Sequence, residues 1–184
     1  MDCNIHPDVW IAWGTWGLVF ATFLLVIATG FFVWRQILEA KQSSGLQLFV
    51  RLANRYEDPN MRDLRRKFST TLLNNSQEPN LNSGLIADET VLSFFENLAY
   101  LTHIEVLNIK IVWNYFSTDI SGYWAATHQY INADRLESDD NALYVEFEWL
   151  QSALVKLDAQ AGRGDSEWDN DDVREFLENE TRLT

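Results

Sequence analysis

Hydrophobic and polar positions divide the chain sharply. From Trp10 to Trp34 (WIAWGTWGLVFATFLLVIATGFFVW) there are 25 residues without one charged side chain. A bilayer-spanning helix needs roughly 20 such residues at about 1.5 Å each, so the run can cross a membrane with some tilt. Trp10, Trp13 and Trp16 crowd one end and Trp34 closes the other, in the manner of interfacial aromatic belts. A cleaved signal peptide fits poorly, because the run is too long and Asp2 and Asp8 occupy the place of a basic leader.

Beyond Trp34 the pattern turns amphipathic with a helical period. Arg35 to Glu57 can continue the first helix, with Leu38, Leu46, Leu48, Phe49 and Leu52 as a partly apolar face and Ser43-Ser44-Gly45 as a weak point or kink. Pro59 suits the first turn of a second helix ending near Leu73. Residues 74–88 read as a loop, after which Asp88 caps a helix carrying Val91, Leu92, Phe95, Leu98, Ala99 and Thr102 inward. A fourth helix runs from about Ile109 to Leu136, with Gly122 as a bend, and a fifth covers about Asn141 to Ala159. Ala161-Gly162-Arg163-Gly164 breaks the chain before a short acidic helix at about Asp171 to Glu180. No alternating strand pattern and no internal repeat is visible. The expected fold is all-α: one N-terminal transmembrane helix (residues 10–34) after a short outer N-terminus (1–9), a juxtamembrane helix (35–57), a cytosolic helical bundle (58–160) and an acidic C-terminal helix (161–184).

Charge sharpens this organisation. The chain of 184 residues carries a formal charge of -13, yet residues 35–67 hold eight bases against four acids, a net of +4. Residues 68–184 hold six bases against 21 acids, a net of -15. Lys and Arg immediately after an apolar span keep that side in the cytoplasm. The expected location is the bacterial inner membrane, with the N-terminus outside and the C-terminus cytoplasmic. A sequence pI of about 4.5 also argues against a surface that grips nucleic acid throughout.

Two constellations are candidate functional surfaces. In the apolar run, Gly14, Gly17, Ala21 and Ala28 fall within about 60° of arc at 100° per residue, and Gly17 and Ala21 form a small-xxx-small pair. Thr15, Thr22 and Thr29 recur on an adjacent face, where hydroxyls bond between helices or to their own backbone. This pattern favours self-association, and Cys3 could cross-link neighbouring copies in an oxidising outer compartment. After the span, Arg62, Arg65, Arg66 and Lys67 form a basic cluster. It suits anionic lipid, RNA, a nucleotide, or the acidic half of the same or a neighbouring chain. A straight helix over 35–57 sets the cluster about 33 Å from the bilayer at 1.5 Å per residue, well beyond a Debye length of about 8 Å.

Catalytic and metal signatures are sparse. His6, His103 and His128 lack the upstream Arg of a HEPN-type nuclease, and one cysteine gives no zinc spacing. The acidic run Asp165–Asp172 puts Asn170 where a calcium loop needs glycine and Phe176 where it needs glutamate. Capping of the last helix by Asp169 to Asp172 is the simpler reading. No enzymatic activity, cofactor or metal is expected.

Arg55-Tyr56-Glu57-Asp58 with Arg62 and Arg65-Arg66, then Val91-Leu-Ser-Phe-Phe-Glu-Asn-Leu-Ala99, Tyr123-Trp124, Ile131, Arg135, Tyr144, Phe147-Glu148-Trp149-Leu150 and Phe176-Leu177 follow one another after the membrane segment. This order resembles a family of bacterial membrane proteins known as domain of unknown function 4760. The resemblance implies a single-pass anchor, a helical cytosolic module and no assigned activity, with Arg135 tying a helix end to an acid such as Glu148. The layout is also similar, more remotely, to small membrane accessories of bacterial antiviral systems, including the type VI-B CRISPR membrane partner. The functional expectation is a homo-oligomeric, non-enzymatic membrane protein acting as a pore-like or membrane-perturbing effector in defence or stress. The alternatives are a membrane scaffold that recruits a soluble protein partner, or a membrane-tethered RNA- or nucleotide-binding helical domain.

Overall fold

The computed structural model describes residues 7–75, 89–163 and 168–183, and for 7–19, 37–43 and 75 the backbone alone. Among the described residues the chain is all-helical, with six helices in the order α1 (Pro7–Tyr56), α2 (Pro59–Asn75), α3 (Thr90–His103), α4 (Ile109–Ser138), α5 (Val145–Gln160) and α6 (Asn170–Thr181). Two compact units divide at the middle of α1, Met1–Ser44 and Gly45–Thr184.

The first unit is helical from Pro7. Its described large side chains, including Phe20, Phe23, Leu24, Leu25, Val26, Ile27, Phe31, Phe32 and Trp34, are exposed. Leu24 to Ile27 are consecutive and therefore point to every side of the helix. Among the described residues no helix is long and apolar enough to cross a membrane. Of the uncharged run from Trp10 to Trp34, the described side chains begin at Phe20.

The second unit is a bundle built around aromatic residues. Tyr56, Phe95, Phe116, Tyr123, Tyr130 and Phe147 are fully buried. Tyr56, at the end of α1, stacks on Phe94 at 5.1 Å and meets Phe116 edge-on at 5.2 Å. Phe95 stacks on Phe147 at 5.4 Å, which joins α3 to α5. Such edge-on and offset pairs add to plain area burial because the ring quadrupoles are complementary.

The expected kink at Ser43-Ser44-Gly45 is not a break: α1 is one helix through it. Gly45 instead permits a close approach. A Cβ there would lie 2.6 Å from the Val106 carbonyl oxygen, in the turn between α3 and α4. Gly122 does the same inside α4, where a Cβ would meet the Phe176 ring at 2.8 Å.

Acids on α3 organise the turn into α5. The cap expected at Asp88 lies outside the described residues, and Glu89 holds the N-cap position without a capping bond of its own. Its carboxylate instead accepts the Tyr130 and Tyr144 hydroxyls, each at 2.6 Å. Tyr144 takes the left-handed conformation, φ 53°, which is rare for a bulky residue, so the Glu89 bond and burial hold a backbone that local preference does not. Glu96, about two helical turns further on, accepts the Glu146 and Phe147 N–H groups at 3.2 and 2.7 Å. It thereby caps the start of α5 from a different helix. Burial raises its carboxyl, and those two N–H bonds oppose the rise. Arg135 closes the same corner, donating to Leu143 O and to Glu148, each at 2.8 Å.

Gly45→Ala should lower the unfolding free energy by roughly 1–3 kcal/mol, the usual effect of forcing an atom into a filled site. Thermal unfolding of the full chain measures it, and an unchanged midpoint would contradict the close approach.

Candidate functional site

The polar centre of the bundle sits between α2, α4 and α6. On α2, Met61, Phe68 and Leu72 form a buried stripe, and Arg65 occupies its middle rather than the solvent face. Arg65 donates from Nε to Glu180 Oε2 at 2.8 Å and from Nη2 to Oε1 at 2.7 Å. Its guanidinium lies 3.8 Å from the centre of the Tyr56 ring. Tyr123 on α4 donates its hydroxyl to Glu180 Oε2 at 2.5 Å. The two-pronged geometry fits a planar guanidinium to a carboxylate, and a third donor completes the acid's coordination.

Electrostatics follow from burial. Desolvation works against the charge on Arg65, but the Glu180 hydrogen bonds outweigh it and the guanidinium is held more firmly protonated than usual. Burial drives the Tyr123 and Tyr56 phenols well above their ordinary range. It also pushes the half-buried Asp119 up to about 6, against the pull of Arg65. Tyr56 Oη and Ser69 Oγ are buried without a hydrogen bond of good geometry.

Helix α6 reaches this centre by a local device. Asp169 accepts the Asp171 and Asp172 N–H groups at 2.9 and 2.8 Å, and Asp172 accepts the Asp169 N–H in return. This reciprocal capping box starts the helix and suits its positive N-terminal dipole. Phe176 then packs edge-on against Tyr123 at 5.0 Å, over the bare backbone of Gly122.

On its other flank α6 forms one wall of a cleft of about 520 Å³. The opposite walls come from α4 and the end of α5. Asp158, Arg163, Trp168, Asp172, Glu175 and Phe176 line it. Trp168 and Phe176 meet at 5.5 Å and 88°, forming an aromatic corner. Asp158 accepts the Trp113 indole N–H at 2.9 Å, and Arg163 lies 4.3 Å over the same indole.

A family match covers residues 18–153, from inside α1 to the middle of α5. The chain belongs to the DUF4760 family, a domain of unknown function. No curated protein and no solved structure matches it. The DUF4760 region contains Arg65, Asp119 and Tyr123, whereas Glu180 and the rest of α6 lie beyond it.

The four expected basic residues are separated by the structure. Arg65 is buried on Glu180, Arg62 pairs with Glu57 at 3.0 Å, and Arg66 and Lys67 both bridge to Asp63. A cation at the centre of the Met61–Phe68–Leu72 stripe was the signal for burial, since residues at -4, +3 and +7 share its helical face. Among the small residues of the first helix, Ala21 and Ala28 are exposed, while Gly14, Thr15 and Gly17 lie where only backbone is described. Thr29 donates to its own helix at Leu25 O, 2.7 Å, so its hydroxyl is already engaged, and Thr22 has an interaction as well. Cys3 lies outside the described residues. His103 stacks on Trp149 at 4.1 Å beside Glu146, a helix-edge role. Among the described residues no group of acids, histidines and cysteines could hold a metal. Glu180 was not singled out by spacing, because an acid in an acidic helix carries no sign of burial.

Arg65→Met should cost about 3–5 kcal/mol of unfolding free energy, because Glu180 is left as a buried unpaired charge. The double variant Arg65→Met, Glu180→Leu should recover most of that loss in urea unfolding; simple additivity would contradict a coupled pair. Asp119, whose folded-state value lies above that of the unfolded chain, binds its proton more tightly when folded. It therefore stabilises the fold below about pH 4, and this contribution fades as pH rises through about 6. Asp119→Asn should flatten the fall in stability between those limits, measured by thermal unfolding across pH.

Proposed function

We propose that the chain is a single-pass membrane protein that assembles with copies of itself through residues 10–34 and carries its helical module on the cytoplasmic side. It works without chemistry of its own, as a membrane-perturbing effector in bacterial defence or stress. The observation that carries this reading is the exposure of large apolar side chains all round α1 from Phe20 to Trp34. A helix apolar on every side is stable only where lipid or other apolar helices surround it. The excess of Lys and Arg over residues 35–67 supports the orientation. Ala21 and Ala28 give partner helices small surfaces to approach.

The basic residues count against the RNA-binding alternative. Arg65 is spent on Glu180, and Arg62, Arg66 and Lys67 each have an acid beside them. A scaffold reading keeps one support, the open cleft beside α6, which gives the cytoplasmic module something to receive.

Expressed in a bacterium, the chain should remain with membranes after alkaline carbonate washing and need detergent for release. Gly17→Leu combined with Ala21→Leu should convert the detergent-purified oligomer to a smaller species without altering membrane retention. Recovery of the wild type in the soluble fraction would overturn the membrane reading. An unchanged oligomer in the double variant would overturn the helix-mediated assembly.

A further inference from the structure

We infer that the cleft between α4, α5 and α6 is a binding site for a small organic ammonium cation, such as a polyamine or a comparable amine. The site combines two features that point the same way. Trp168 meets Phe176 edge-to-face, with centres 5.5 Å apart at 88°; Phe176 is buried against Gly122 and Tyr123, and the half-buried Trp168 indole is the aromatic wall of the cleft. Ring faces carry negative potential and hold alkylammonium groups well, which a hydrated metal ion exploits poorly. Around the corner stand three carboxylates, Asp158 from α5 and Asp172 and Glu175 from α6, against one guanidinium, Arg163.

The existing contacts show which groups are available. Arg163, which lines the cleft, lies over the neighbouring Trp113 ring at 4.3 Å. One oxygen of Asp158 accepts the Trp113 N–H, and one oxygen of Asp172 serves the capping box. Glu175 has no partner among the described residues and is exposed on the rim. A ligand with one ammonium at the aromatic corner and a second beside Glu175 satisfies both features. A phosphate or carboxylate ligand would face the three acids with only Arg163 to receive it. The cleft volume of about 520 Å³ falls in the range of small-molecule sites. Every residue invoked belongs to the unit Gly45–Thr184, so the inference stands apart from the membrane reading.

Calorimetric titration of the full-length, detergent-purified chain with spermidine, at about 0.15 M salt to screen loose surface attraction, tests the site. One saturable event is expected, weakened about tenfold or more by Glu175→Gln and by Trp168→Ala. Trp168→Phe, which keeps an aromatic wall, should bind within about threefold of wild type and separates loss of the wall from loss of the fold. Asp139→Asn, at the far end of α4, should leave binding unchanged. Absence of saturable binding up to about 10 mM would overturn the inference. So would equal weakening by Asp139→Asn, or equally tight binding of magnesium, since either would mean general attraction to an acidic surface.

Discussion

A charge inside a protein must be matched, and Arg65 is the charge this bundle is arranged around. Its position in the middle of the buried α2 stripe commits the fold to delivering an acid there. Glu180 supplies it from 115 residues away, with two guanidinium N–H bonds and the Tyr123 hydroxyl on one carboxylate. An unpaired guanidinium at that depth would cost several kcal/mol, so the arrangement acts as a constraint on α6 more than as a source of net stability. Helix α6 must lie where its last turn meets Arg65. Phe176, one turn before, then falls on Tyr123 and needs Gly122 beneath it.

This constraint has a consequence on the other side of the helix. Once α6 is fixed, Trp168 and Glu175 become the wall of a cleft whose floor is α4. The DUF4760 match ends at residue 153, before the residues that close the ion pair and most of those lining the cleft. The C-terminal stretch thus completes two things at once, the charge balance of the core and the enclosure of a surface. The net charge of -15 over residues 68–184 is divided among several structural roles. One of its acids is core, Glu89 and Glu96 brace the turn into α5, and three stand around the cleft.

Much of the helical plan was legible from periodicity, and the reasons for the exceptions are physical. The N-cap Asp169 and the first-turn Asp172 have local partners, so a capping motif could be read from spacing. Glu89 and Glu96 have partners 41 to 55 residues away, which spacing does not encode. Gly45 suggests a weak point or kink because propensity counts the missing side chain as a cost. Its role is steric, set by the Val106 carbonyl, which only the tertiary structure brings near. Within the basic cluster, Arg65 differs from Arg62 and Arg66 by its apolar neighbours on the helix face. Met61, Phe68 and Leu72 surround it, so the four cations do not form one surface. The cleft was not legible at all, since its walls come from three helices and the turn before α6.

Helix α6 is an integral part of the bundle, held by the Arg65–Glu180 pair. Native-state hydrogen exchange of the full chain tests it most directly, because it resolves the opening free energy of each helix separately. The amides of α6 around Phe176 to Glu180 should exchange with the same opening free energy as those of α2 around Arg65. Exchange of α6 through a separate, low-energy opening, with α2 still protected, would contradict it.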